Sequence, residues 1–143
     1  MALSVAALVS AGVIISAKAA ERGALNAASL ALQADFRYAR RMAMLEGRRW
    51  GVYFVEGGDT YYVFHSSPRA VVKTVSLPDG VTVVGLSEQE MVYLPRGTAL
   101  HGFGVVLGKN GYTQRLTATV SGGRVEIKGI VKTDGGGAPL IWD

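Results

Sequence analysis

Few side chains of this 143-residue sequence have the types and spacing that catalysis or metal binding requires. The two histidines, His65 and His101, have no carboxylate cluster at metal-ligand spacing, so neither predicts a metal site. Cysteine is absent, which excludes disulfides and thiolate ligands. Serine, histidine and aspartate occur in no triad order and on no nucleophile-elbow motif. We therefore predict no enzymatic activity, no cofactor and no small-molecule substrate.

Two glycine-rich stretches have a passing likeness to nucleotide-binding loops. GFGVVLG at residues 102–108 lacks the dinucleotide-loop spacing, and residues typical of a strand follow it instead of a helix. DGGG at residues 134–137 lacks the lysine and the Ser/Thr of a phosphate-binding loop. Neither stretch predicts a ligand site.

One region with an excess of positive charge is a candidate binding surface. Residues 91–132 contain six basic residues and one acidic residue, a net charge of +5, whereas residues 50–90 contain two and five, a net charge of −3. The six basic residues are Arg96, Lys109, Arg115, Arg124, Lys128 and Lys132. They are candidates to contact nucleic-acid phosphates or a neighbouring protein subunit. Solvation or subunit contacts are favoured over DNA, because Glu126 would share one strand face with Arg124 and Lys128 and repel phosphate there.

The elements that must position these charges differ in their hydrophobic periodicity. Between Ala2 and Glu46 there is no proline and apolar residues recur at helical spacing, so we predict one helix that Gly47 ends. After Gly47 the period becomes two, and turn signals such as Lys109-Asn110-Gly111 separate seven or eight short strands. The prediction is an α+β fold, with a helical domain at residues 1–48 and an antiparallel β domain at residues 49–143. Leu140, Ile141 and Trp142 are candidates for a last strand.

The two halves of the predicted helix have different tasks. Residues 2–17, ALSVAALVSAGVIISA, carry no charge. A helix of that length is about 24 Å long, short of the roughly 30 Å hydrocarbon core of a bilayer. The second half has one apolar stripe that we expect to pack on the sheet, formed by Leu25, Ala28, Leu32, Phe36, Ala39 and Ala43. A signal-peptide core ending at SAKAAERG is the less favoured alternative, because the helical pattern continues through it.

Three segments in this order resemble the type IV pilin superfamily, in particular minor pilins and pseudopilins of the GspH/FimT type. They are YARRMAMLEGRRWGVYF, MVYLPRGTALHGFGVVL and SGGRVEIKG. That family has a helix end of the form AR..A, here Ala39-Arg40 and Ala43, and a glycine-arginine hairpin, here Gly123-Arg124. The resemblance covers nearly the full length. It implies a structural subunit of a type II secretion pseudopilus or a type IV pilus, with other pilin subunits as its partners.

The resemblance also implies where such a subunit resides. One helix would hold it in the bacterial inner membrane, with the β domain in the periplasm or outside the membrane, before assembly into a filament. Residues 1–20 would form the membrane and filament-core part. The side chains expected to pack there are Ala6, Ala7, Ala11, Gly12, Ile14, Ile15 and Ala17.

Two features depart from the family pattern. Family precursors carry a short basic leader and a mature start such as FTLIE, whereas this sequence opens at MALSVAAL, about six residues into that motif. We expect that the start is trimmed or that translation is assigned to an internal methionine. FimT-like minor pilins capture DNA through a hairpin of the form GR.R, and here Glu126 replaces the second arginine. DNA uptake is therefore the alternative function and is not favoured.

Overall fold

The computed structural model describes residues 2–78 and 80–133, with side chains from residue 20 onwards except that of Glu21. One helix, α1, spans Ala2–Glu46, the bounds that the hydrophobic periodicity predicts. Gly47 ends it in the left-handed conformation (φ +65°), and its N–H donates to the Ala43 carbonyl at 3.0 Å. The predicted last strand at residues 140–142 lies outside the described residues.

The resemblance implies a membrane-crossing helix. Within the described part of the chain, no helix is both long enough and apolar enough to span a membrane.

Within residues 50–78 and 80–133, nine strands form two antiparallel sheets. They are β1 Trp50–Phe54, β2 Thr60–His65, β3 Ala70–Ser76, β4 Thr82–Leu86, β5 Glu90–Tyr93, β6 Phe103–Lys109, β7 Tyr112–Ala118, β8 Val125–Ile127 and β9 Val131–Lys132. The first sheet has the order β3-β2-β1-β5. The second has the order β4-β6-β7-β8, and β9 pairs with β7 beyond the end of β8. The α+β fold is confirmed.

The pattern of RVEIKGIV, residues 124–131, predicts one strand, whereas the structure has β8 and β9 there. Pairing with the backbone of β7 continues as far as Lys128, whose N–H donates to the Arg115 carbonyl at 2.8 Å. The Lys128 carbonyl instead accepts from the Gln114 side-chain amide at 3.0 Å. The strand breaks after this residue because a side chain replaces the backbone partner there, and pairing resumes at Val131 opposite Thr113.

The core lies between the second half of α1 and both sheets. The ring centroid of Phe36, on α1, lies 6.1 Å from that of Phe54 in the first sheet and 5.9 Å from that of Phe103 in the second. The rings of Phe54 and Phe103 stack 5.5 Å apart. The apolar stripe of α1 is buried in this core: Leu25, Ala28, Leu32, Phe36, Ala39 and Ala43. The three phenylalanines thus join one helix and two sheets at a single point.

One polar contact also joins α1 to the first sheet. The Asp35 carboxylate is buried, accepts a hydrogen bond from the Tyr61 hydroxyl at 2.5 Å, and pairs with the Lys73 ammonium at 2.7 Å. Burial, together with the hydrogen bond to Asp35, raises the pKa of Tyr61 far above its usual value. The phenol therefore keeps its proton and donates a hydrogen bond to the Asp35 carboxylate, which satisfies part of the hydrogen bonding that a buried carboxylate needs.

Replacing Phe36 by alanine should destabilise the protein strongly, since it removes the helix side of the aromatic contact. We expect Phe36→Ala to lower the free energy of unfolding by about 3–5 kcal/mol, measured by urea denaturation. Leu30→Ala is the matched control on the same helix, because Leu30 is 52% exposed. Its effect should stay within about 0.5 kcal/mol. Equal losses in the two variants would contradict the aromatic contact as the centre of the core.

Candidate functional site

Three distant parts of the chain meet near the end of α1. The Arg40 Nε donates to the Gly97 carbonyl at 2.8 Å, and the Tyr93 hydroxyl donates to the Gly123 carbonyl at 2.7 Å. Gly97 and Gly123 both have positive φ, +90° and +57°. A Cβ on Gly123 would lie 2.7 Å from the Gly97 carbonyl oxygen, so only glycine fits there. We call these four residues the junction.

The junction joins the three segments that carry the family resemblance. Arg40 follows Ala39 near the end of α1, Tyr93 and Gly97 flank the turn after β5, and Gly123 follows the turn between β7 and β8. Burial raises the pKa of Tyr93 to about 12, an effect that the positive charge of Arg40 partly opposes. Tyr93 therefore keeps its proton and its hydrogen bond at ordinary pH.

A groove of about 580 Å³ opens beside the junction, at the carboxyl end of α1. Three arginines, Arg48, Arg49 and Arg96, contribute to its lining. Arg48 pairs with Glu46 at 3.1 Å, and the Arg96 Nε donates to the Thr98 hydroxyl at 3.1 Å. The other lining residues are Gly47, Ser66, Ser67, Leu94 and Pro95. We call this cavity the basic groove.

Sequence reasoning selected Arg96 as a binding residue but not Arg48 or Arg49. These two directly follow the glycine that ends the helix, a place where cations complement the helix dipole. The turn after β5 brings Arg96 beside them, which no spacing in the sequence indicates. The available signal was the GRRW segment directly after the helix, which places two adjacent arginines in the connection to β1.

The other five predicted basic residues do not form one surface. Arg115 and Lys128 line a second groove of about 590 Å³ on the outer face of the second sheet. Lys128 is paired with Glu126 at 3.2 Å, both exposed. The remaining three are distributed: Lys109 lies against Gly80, Lys132 lines a groove with Arg22, and Arg124 is exposed at the hairpin. They are dispersed because they occupy different strands and turns of the second sheet.

The two histidines make local contacts. The His65 ring lies 5.4 Å from the Trp50 ring, and its Nδ1 is 3.0 Å from the Pro68 carbonyl oxygen. The His101 Nδ1 is 3.0 Å from the Gly102 carbonyl oxygen. Across residues 2–78 and 80–133, no group of three or more histidine or carboxylate side chains is placed to hold a metal ion.

The residues predicted to pack in a filament core all belong to α1. Their side chains lie outside the described ones, although the helix itself includes them: Ala6, Ala7, Ala11, Gly12, Ile14, Ile15 and Ala17.

Known proteins are similar to this chain both in a sequence range that includes the junction and in the fold. The family model of the type II transport protein GspH matches residues 28–123, a range that contains all four junction residues. No curated protein matches the chain in sequence.

Solved structures similar to the chain include a type IV minor pilin and a minor pseudopilin. One is the type IV minor pilin FimU of Pseudomonas aeruginosa, with 17% identity, a TM-score of 0.64, and coverage of 76% of this chain and 91% of that chain. Another is the minor pseudopilin EpsH of the Vibrio cholerae type II secretion system, with 12% identity, a TM-score of 0.61, and coverage of 79% and 99%. At these identities the likeness shows a shared fold.

A methyl group at Gly123 should loosen the junction. We expect Gly123→Ala to lower the free energy of unfolding by about 1–3 kcal/mol, because alanine is strained at φ +57° and its Cβ would collide with Gly97 and Tyr93. Gly122→Ala is the matched control, since the nearest atoms to its added Cβ lie at 3.9 Å. Thermal unfolding of both variants measures the difference, and a Gly123 variant as stable as the Gly122 variant would contradict the close contact.

DNA binding stays a prediction, and its expected strength follows from the Lys128–Glu126 pair. We expect weak duplex binding by fluorescence anisotropy, falling steeply between about 50 and 200 mM salt as counterions are released. Removing Arg124 and Lys128 together should flatten the salt slope by about one unit per lost contact, without changing sequence preference. Glu126→Arg should strengthen binding. Tight, salt-resistant binding by the unmodified chain would contradict this expectation.

Proposed function

Because the chain belongs to the GspH family of type II transport proteins, we propose that it is a structural subunit of a bacterial filament. Family membership, together with the fold it shares with a minor pilin and a minor pseudopilin, supports a minor pilin or pseudopilin role. The filament would be a type II secretion pseudopilus or a type IV pilus. Neighbouring genes distinguish these two, since secretion genes favour the pseudopilus.

The geometry of α1 carries this proposal. The helix has 45 residues, about 67 Å at 1.5 Å per residue. Among the described side chains, Leu25 is the first residue of α1 that is buried in the core. Residues 2–24, about 35 Å of helix, therefore precede the segment that packs on the sheets. A helix that begins so far ahead of its own core is suited to pack against helices of other subunits.

The composition of residues 2–17 fits that packing. The run has no charge and contains small residues at positions such as Ala7, Ala11 and Gly12, which allow helix backbones to approach closely. Filament assembly would then exchange one apolar environment for another, with van der Waals contacts between helices as the gain. Residence of this segment in the inner membrane before assembly, with the β domain outside it, is part of the proposal.

The proposed role is structural. The buried Asp35 carboxylate joins two elements of the fold through Tyr61 and Lys73. The junction likewise uses Arg40 and Tyr93 to hold backbone carbonyls in place. These contacts fix the β domain against α1.

Removing the apolar run should separate assembly from folding. We expect a chain that starts at Glu21 to be soluble, monomeric and folded, because it keeps the stripe that covers the sheets. The full chain should need detergent and associate with itself or other subunits. Circular dichroism measures whether each chain is folded, and sedimentation measures whether it associates.

A point variant tests the same step without shortening the chain. Ala11→Arg should abolish association of the full chain and leave the β domain folded, because an arginine cannot enter an apolar helix bundle without a partner. Val131→Arg is the control, since Val131 is 60% exposed on β9. Unfolding of the Glu21 chain, together with a full chain that stays soluble alone, would show that residues 2–17 are core and would overturn the proposal.

A further inference from the structure

Both ends of the first sheet carry charge, and the two ends have opposite signs. Strands β1, β2 and β5 all run between the same two ends. At one end, residues 47–49, 66–67 and 94–96 form the basic groove. At the other end, Glu56 follows β1, Asp59 precedes β2 and Glu88 precedes β5. We call these three exposed carboxylates the acidic end.

At the acidic end, hydrogen bonds join β1 to the connection between β4 and β5. The Phe54 N–H donates to the Gln89 carbonyl at 2.9 Å, and the Gln89 side-chain amide donates to the Tyr53 hydroxyl at 2.7 Å. Glu90, the next carboxylate, is already paired with Arg69 at 2.9 Å. Within residues 2–78 and 80–133, Glu56, Asp59 and Glu88 have no ion-pair partner.

The basic groove has a matching excess of cations. Arg48 already binds the carboxylate of Glu46. In the described part of the chain, Arg49 and Arg96 pair with no carboxylate. The Ser66 hydroxyl already donates to the Arg49 carbonyl at 3.3 Å, the Ser67 hydroxyl is a further donor of the lining, and Leu94 and Pro95 supply an apolar wall. Guanidinium groups beside hydroxyls and a short apolar wall suit a peptide loop that carries carboxylates.

The two charged ends are displaced along the direction of α1. Trp50 at the start of β1 donates from its indole Nε1 to Glu46 at 2.9 Å, whereas Phe54 at the end of β1 contacts Phe36. Positions 36 and 46 are about 15 Å apart along the helix. A subunit shifted along the helix direction therefore presents its acidic end towards the basic groove of its neighbour.

We propose that this chain binds a second copy of itself head to tail, with Glu56, Asp59 and Glu88 of one copy seated in the basic groove of the next. The contact rests on the proposed filament role, since it joins different surfaces and does not close on itself. Opposite charges would orient the copies and set their order along the filament. Arg49 and Arg96 are the binding residues on the groove side.

Crosslinking of the full chain in mild detergent tests this contact, since the chain has no cysteine of its own. One copy carries Ser67→Cys in the groove lining, and the other carries Val55→Cys, an exposed position beside Glu56. Oxidation of the mixture should give a disulfide-linked dimer. Arg49→Glu with Arg96→Glu on the first copy should lower its yield at least about tenfold, as should Glu56→Lys with Glu88→Lys on the second.

The decisive experiment reverses the charges of both surfaces at once. Mixing the two reversed copies should restore the dimer, because each reversed surface again meets its opposite. Lys132→Glu on the first copy, a reversed exposed cation on β9, should leave the yield unchanged. Circular dichroism confirms that each variant is folded. Absence of the dimer with native charges, or no recovery when both surfaces are reversed, overturns the head-to-tail contact.

The filament role is measured separately with Ala11→Arg. If Ala11→Arg abolishes association but the disulfide between positions 67 and 55 does not form with native charges, the head-to-tail contact alone is overturned. If the disulfide forms and responds to charge exchange, but Ala11→Arg leaves association unchanged, the filament role is overturned and the head-to-tail contact is supported.

Discussion

The contact of Phe36 with Phe54 and Phe103 determines how the helix and the two sheets are arranged. Each ring comes from a different layer, and all three lie within 6.1 Å of one another. Apolar burial is non-directional, but packed aromatic rings have few arrangements, so this contact fixes the helix against both sheets. The Asp35 contact with Tyr61 and Lys73 adds a directional restraint one residue earlier on the helix. Every surface described above depends on that fixed arrangement.

The junction transmits this arrangement to the end of the helix. Gly97 and Gly123 let backbones approach where a side chain would collide, and Arg40 and Tyr93 satisfy their carbonyls. The same turn that places Gly97 beside Arg40 places Arg96 beside the arginines that follow the helix. The contacts that join the helix end to the turn after β5 thus also bring the arginines of the basic groove together.

The filament role and the charge arrangement can be understood together. A helix that starts about 35 Å before its first core residue would provide a long contact to other subunits, apolar over residues 2–17. Such a contact is weakly specific for axial position, because small apolar side chains repeat along it. The proposed pairing of the acidic end with the basic groove would supply the missing specificity, since charge pairing depends strongly on register. Apolar packing would then hold the subunits together while charge sets their order.

The sequence alone determined the helix from Ala2 to Glu46, the change of period after Gly47 and the antiparallel β domain, because these depend on local spacing and turn residues. It also indicated the stripe that covers the sheets. The division of β8 from β9 was not predictable, because it depends on a side chain of β7. The basic groove was missed for a similar reason. Residues 48–49 and 96 are distant in sequence, and only the pairing of β1 with β5 brings them to one end of a sheet.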